Sequence, residues 1–129
     1  MAEDRLFFVG QKAFIERDGE VLVLFYGSEL DLPGGKIQME ERDIEAALRR
    51  EVREETGLEI DVGAPFATWL NSEATIYLVG YRCRYASGEV RLSEEHDAFR
   101  WLNKRNYREV DDGRPHFAAL KQFLEEGLA

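Results

Sequence analysis

Positive charge is in short supply in this chain: 17 Lys and Arg stand against 26 Asp and Glu, a formal charge of -9 over 129 residues. The long-range field of such a chain repels DNA, RNA and acidic membranes, so nucleic acid is not expected as a partner. A polyanionic substrate would need a cationic helper, and a divalent metal is the obvious one. Cysteine is nearly absent. The lone Cys83 excludes an internal disulfide, and a reducing cytoplasm is the expected compartment. Long apolar runs are missing too. The longest, residues 21–26, falls far short of the roughly 20 residues that span a bilayer, so no membrane association is expected. The opening Met-Ala-Glu-Asp-Arg lacks the basic and apolar regions of a secretory signal. No internal repeat, low-complexity tract or linker interrupts the chain. Its 44% hydrophobic and 12% aromatic content suits one domain over residues 1–129.

What is present alternates between strand and helix signals. Residues 5–15 and Glu20–Tyr26 flank the turn dipeptide Asp18-Gly19 and read as a hairpin. Leu30-Asp31-Leu32 reads as a short third strand, stopped by Pro33-Gly34-Gly35. Residues 43–56 are good helix formers, with Asp43 as N-cap, Glu45 in the first turn and Gly57 as the stop. Residues 58–62, 66–70, 75–85, 89–92 and 99–102 read as further strands. Pro115 opens a closing helix whose apolar stripe is Phe117, Leu120, Phe123 and Leu124. This order predicts an α/β fold, a mixed sheet sandwiched between helices.

The first helix carries an anomaly. At about 100° per residue, with Ile44 as zero, Leu48 lies near +40°, Val52 near +80° and Ala47 near -60°, which defines the apolar stripe. On the same wheel Glu51 falls near -20° and Glu55 near +20°, inside that stripe, with Glu54 at its edge near -80°. Arg49 and Arg53 point the other way. Burying an unpaired carboxylate costs several kcal/mol, so these acids must be protonated, paired with cations or bound to metal. Acids at i, i+3 and i+4 can converge on one small volume, and hard cations such as Mg²⁺ take oxygen ligands of this kind. The competing reading is a charged helix rim paired with Arg50 or another arginine. Gly34-Gly35-Lys36 before the helix could present backbone groups to an ion or phosphate. It is not a Walker loop, because Leu30 stands where that motif needs glycine and Ile37 where it needs Ser or Thr.

Leu32-Pro33-Gly34-Gly35-Lys36, then Glu41, then residues 50–58 (Arg-Glu-Val-Arg-Glu-Glu-Thr-Gly-Leu) together resemble the signature of the Nudix hydrolases, G-x5-E-x7-R-E-U-x-E-E-x-G-U, with U a bulky aliphatic residue. One departure stands out: eight residues separate Glu41 from Arg50, where the pattern has seven. Glu41 is the preferred match, with the extra residue absorbed in Arg42-Asp43, and the insertion puts a supporting Glu41–Arg50 ion pair in question.

The resemblance implies an α/β/α Nudix fold and hydrolysis, dependent on Mg²⁺ or Mn²⁺, of a pyrophosphate bond in a nucleoside di- or triphosphate derivative. Carried over, Glu51, Glu54 and Glu55 are the metal-binding acids, with the Gly34 carbonyl as an additional ligand. Lys36, beside Gly35, contacts phosphate or holds the loop. The proton acceptor is Glu51, Glu54 or an acid from a later loop. Similar proteins place such an acid ahead of a Trp-containing strand. Here that points to Ser93-Glu94-Glu95-His96-Asp97, with Glu95 preferred over Glu94; without the resemblance the cluster reads as a solvated acidic turn. His96 could bind phosphate or ligand but reads first as a surface histidine without a role, His116 reads as the start of the last helix, and Cys83 as strand core.

Phe25, Tyr26, Phe66, Trp69, Tyr81 and Trp101 are available as a base platform, yet each is better read as core. Nucleoside triphosphates are ranked slightly ahead of ADP-ribose-like sugars and dinucleoside polyphosphates, and capped RNA lower because no basic surface is evident. The alternatives are a non-catalytic nucleotide sensor, which could dispense with the three glutamates, and an acidic protein-interaction domain. A homodimer is common among similar proteins.

Overall fold

Asp18 and Gly19 both take positive φ, 51° and 79°, the backbone that a two-residue hairpin turn demands and that Asp-Gly supplies readily. They join β1 (Phe8–Arg17) to β2 (Glu20–Tyr26), which pair only at Glu16↔Val21 and Arg17↔Glu20 before parting. The computed structural model describes residues 2–128. After β2 come β3 (Glu29–Asp31), β4 (Gly34–Lys36), α1 (Ile44–Thr56), β5 (Glu59–Leu70), β6 (Ile76–Ser87), β7 (Ala98–Leu102) and α2 (Pro115–Gln122). A 3-10 turn at Tyr107–Val110 precedes α2, and a π turn at Phe123–Gly127 continues it.

Where β1 and β2 part, each takes other neighbours. The free edge of β1 pairs with β4 at Gly10–Lys12, while its opposite edge runs parallel to β6 from Phe8 to Glu16. β2 pairs with β3 and β7, and β5 closes the far side against β6; all of these are antiparallel. The seven strands therefore form one mixed sheet.

Strand alternation divides the core into two layers. Ala13, Ile15, Leu22 and Leu24 point to one face and bury Leu48 and Val52 of α1, with Cys83 among them. Phe14, Val21 and Val23 point to the other and bury Phe117 and Leu120 of α2 together with Phe123. The result is the expected α/β/α sandwich. Among the described residues no helix is long and apolar enough to cross a membrane.

Four local expectations need correction. The strands expected over 58–62 and 66–70 are one continuous strand, β5, from Glu59 to Leu70, because its register shifts around Pro65 accommodate the irregular stretch without ending the pairing. Gly34–Lys36 is a strand, although glycine is a poor strand former, because β1 supplies the partner edge. Ile44 is 48% exposed, at the open first turn of α1. Residues 89–92 are not a strand. Their polar backbone caps α1: the Arg91 amide donates to the Thr56 carbonyl at 2.8 Å, and the Ser93 amide to the Glu55 carbonyl at 3.3 Å. Those are carbonyls the helix itself leaves unbonded. This tie fixes the loop of residues 93–97 beside the last turn of α1.

Candidate active site

Gly34 has φ +144°, and a Cβ there would sit 1.9 Å from the Gln11 carbonyl oxygen; at Gly35 a Cβ would meet Glu51 Oε2 at 2.6 Å. Only glycines let this strand lie so close to both β1 and α1. The closeness is used: the Gly34 amide donates to Glu55 Oε1 at 2.7 Å.

Glu55 occupies the final turn of α1 and is 4% exposed. The negative end of the helix dipole disfavours an acid there, and burial pushes its carboxyl up to about 7, against the pull of the Gly34 amide and Lys12. Asp31 and Glu95 add to the upward push. A carboxylate so placed is short of positive charge.

Its neighbours on α1 are organised differently. Arg50 gathers three acids: Glu41 through both carboxylate oxygens (3.1 and 3.0 Å), Glu51 Oε1 at 2.9 Å and Glu54 Oε2 at 3.0 Å. The Glu41–Arg50 pair thus forms despite the extra residue. The surplus length lies in the turn before the helix, where Gln38 and Arg42 make local bonds to Glu41 and Met39 and Asp43 caps the Ala46 amide at 3.0 Å. Glu51 is half-buried against Gly35 and Glu54 is exposed, in the order the helical projection gives. Lys36 is exposed, with its ammonium 5.0 Å from the centre of the Phe8 ring.

Asp31, one residue before Leu32-Pro33, anchors a second network. Its Oδ1 accepts from Lys12 Nζ at 2.9 Å and from the Leu32 amide at 2.8 Å, and its Oδ2 lies 2.8 Å from His96 Nε2. Burial works to raise the Asp31 carboxyl, but Lys12 and His96 hold it well below the usual carboxylate range. The hydrogen bond to Asp31 raises His96 against the opposing effect of burial. His116 accepts the Trp69 indole N–H on Nδ1 at 2.9 Å and turns Nε2 to within 3.5 Å of Asp31; burial lowers it.

His96 corrects the expectation of a surface residue: its side chain is 4% exposed. The β6–β7 loop turns it inward because the Asp97 amide is bonded to the Phe25 carbonyl at 2.9 Å and Ser93 to α1. Among the described residues its Nδ1 has no hydrogen-bond partner, and it lies 3.8 Å from Glu55 Oε2. Glu95, exposed at the mouth, completes a group: one ligand atom each from Glu55, Glu95 and His96 lie within 4.8 Å of one another. Glu94 is also exposed.

Glu55, Glu95 and His96 line a cleft of about 500 Å³ together with Asp31, Gly34, Lys36, Tyr26 and Arg114, whereas Glu51, Glu54 and Glu94 are not among its lining residues. Tyr26 corrects the expectation of a core residue: at the end of β2 it is 62% exposed. Phe25, Phe66 and Trp69 pack into the α2-side core, and Tyr81 and Trp101 into the α1 side, as expected. The sequence reading missed Lys12, Asp31 and His116. Lys12 carried a signal, a cation inside an otherwise buried strand.

Comparison with known proteins agrees with this architecture. The NUDIX domain model matches residues 8–123. A bis(5'-nucleosyl)-tetraphosphatase [asymmetrical] from Mus musculus is 36% identical over 104 residues, covering 74% of this chain and 67% of that protein. A MutT-like protein from Streptomyces ambofaciens is 31% identical over 90 residues, covering 68% of this chain; the match spans 58% of that relative's length. Among solved structures, the MutT protein from Methanosarcina mazei superposes with TM-score 0.73 at 25% identity, covering 98% of this chain and 96% of its own. An ADP-ribose pyrophosphatase from Streptococcus suis shares the fold at TM-score 0.76 and 20% identity, over 95% and 92% of the two chains. With the glycine strap, the acid-bearing helix and a match running from β1 to the end of α2, the chain belongs to the NUDIX domain family.

Proposed function

We propose that the chain is a divalent-metal-dependent hydrolase that cleaves a pyrophosphate bond in a nucleoside di- or triphosphate derivative. The observation that carries the reading is Glu55, a carboxylate buried on the floor of the cleft and short of compensating positive charge. A buried acid of this kind is costly unless a cation joins it. The surrounding donors fit such an ion: Glu95 and the unpartnered His96 Nδ1 lie beside Glu55, and carboxylate oxygens suit Mg²⁺ and Mn²⁺.

Glu51, Glu54 and Glu55, with the Gly34 carbonyl, are the proposed metal ligands, carried over from the family motif. When bound, the ion neutralises phosphate charge and lowers the pKa of water held for attack on phosphorus. The chain's own residues do the rest. The Gly34 amide fixes one Glu55 oxygen, and Arg50, braced by Glu41, holds Glu51 and Glu54 in place. Glu95, Glu51 and Glu54 are the candidate proton acceptors, Glu95 at the open mouth of the cleft. Lys36, at the rim, contributes charge to the substrate phosphates.

Nucleoside triphosphates remain a leading substrate class, and the mouse tetraphosphatase relative supports testing dinucleoside polyphosphates equally. The test is product analysis by anion-exchange chromatography over nucleoside triphosphates, dinucleoside polyphosphates and ADP-ribose-like sugars, with and without Mg²⁺ or Mn²⁺. Turnover is expected only with metal, falling by about two orders of magnitude or more in Glu55→Gln. Turnover indifferent to metal would overturn the reading, and tight nucleotide binding without hydrolysis would make the protein a sensor.

A further inference from the structure

We infer that His96 is a nitrogen ligand of this metal site and that Asp31, bonded to the opposite ring nitrogen, is the positioning residue that aims it and fixes its tautomer. The inference rests on the metal-dependent reading above and deepens it: a site of oxygen donors becomes a mixed oxygen and nitrogen site.

The Asp31 carboxylate is bonded on both oxygens. One oxygen accepts from Lys12 Nζ and the Leu32 amide, at 2.9 and 2.8 Å, and the other lies 2.8 Å from His96 Nε2. A carboxylate that accepts on both oxygens requires His96 Nε2 to carry a hydrogen. Nδ1 is thereby directed away from Asp31 and toward Glu55, where it stands 3.8 Å from Oε2 with no hydrogen-bond partner among the described residues, on a side chain 4% exposed.

Neither protonation state gives that atom a hydrogen bond among the described residues. A bare lone pair faces a carboxylate and is repelled; an N–H there makes only a charge contact with Glu55 at 3.8 Å, beyond hydrogen-bond reach. An orphaned buried polar atom is destabilising, so a partner is expected. A cation between Nδ1 and Glu55 satisfies both groups, with Glu95 as a third donor. The position is not a loop accident, because the Ser93 and Asp97 amides on either side of His96 are both bonded to framework carbonyls. A carboxylate holding the far nitrogen is also the usual arrangement behind a metal-bound histidine.

The consequence is selectivity. Oxygen-only sets suit Mg²⁺, whereas an imidazole nitrogen adds affinity for borderline divalent ions along the series from Mn²⁺ upward. Mn²⁺ should therefore gain from His96 and Mg²⁺ should not.

The test uses Mn²⁺ alone as probe on the full chain, with continuous-wave electron paramagnetic resonance for affinity and pulsed measurement for ¹⁴N coupling. Wild type should show directly coordinated nitrogen. His96→Gln, which keeps a donor for Asp31, should lose that coupling and bind Mn²⁺ about tenfold more weakly, with Mg²⁺ affinity by calorimetry changed less than about twofold. Asp31→Asn retains an acceptor for Lys12 but presents an amide N–H to Nε2, so it should also lose the coupling although His96 is still there. Circular dichroism and melting of both variants separate folding from ligation. Mn²⁺ bound in a Glu55-dependent way without nitrogen coupling overturns the inference and leaves the proposed hydrolase standing. Mn²⁺ binding that Glu55→Gln does not weaken overturns both.

Discussion

Gly34 and Glu55 are coupled residues: the first can approach the second only because it has no side chain. A Cβ at Gly34 would collide with the Gln11 carbonyl, and φ is +144°. Gly34→Ala is therefore expected to cost about 3 kcal/mol, a fall in Tm of roughly 10 °C by calorimetry, and to lose the amide that holds Glu55. An unchanged Tm would contradict the strap geometry. Cys83 gives a second residue-scale test. Burial pushes its thiol up to about 12, above the ordinary 9.0. The folded chain holds that proton more tightly than the unfolded chain, so the contribution to stability is complete below pH 9 and is lost as pH rises toward 12. Urea melts across this window should decline more steeply for wild type than for Cys83→Ala. A thiol reagent should react slowly with the native protein and fast once it is unfolded.

Among the elements, α1 does most to place chemistry, and much of it was legible in sequence. Its bounds follow from Asp43, whose side chain accepts from Ala46, and from Gly57, whose φ of 75° ends the helix in a left-handed residue. Asp43→Ala should cost about 1 kcal/mol, a Tm loss of roughly 3 °C, since the bond is exposed and local. Periodicity also revealed that Glu55 faces inward, because 3.6-residue geometry leaves little choice once Leu48 and Val52 are core. What it could not reveal is pairing across the chain. His96 meets Asp31 over 65 positions and Lys12 meets Asp31 over 19, and no local pattern encodes either contact. The same holds for β4, whose two glycines carry no strand preference of their own. Residues 89–92 misled for a related reason: their alternating side chains suggested a strand, yet the Arg91 amide, like that of Ser93 just after, serves α1.

At the scale of the whole molecule, two layers of helix clamp a sheet that splits between β1 and β2. The split lets β4 pair with β1, and the β6–β7 loop comes in over the end of α1. Three distant segments thus deliver Gly34, Glu55 and Glu95 to one cleft inside a chain of net charge -9. That field favours divalent cations over bare polyanions. The central claim is that the buried carboxylate of Glu55 is an ion site. The most direct measurement is anomalous diffraction from crystals soaked in Mn²⁺, for wild type and Glu55→Gln. The account predicts a peak within coordination distance of the Glu55 carboxylate that vanishes in the variant. A wild-type map with no peak there, or a peak that persists without the carboxylate, would contradict it.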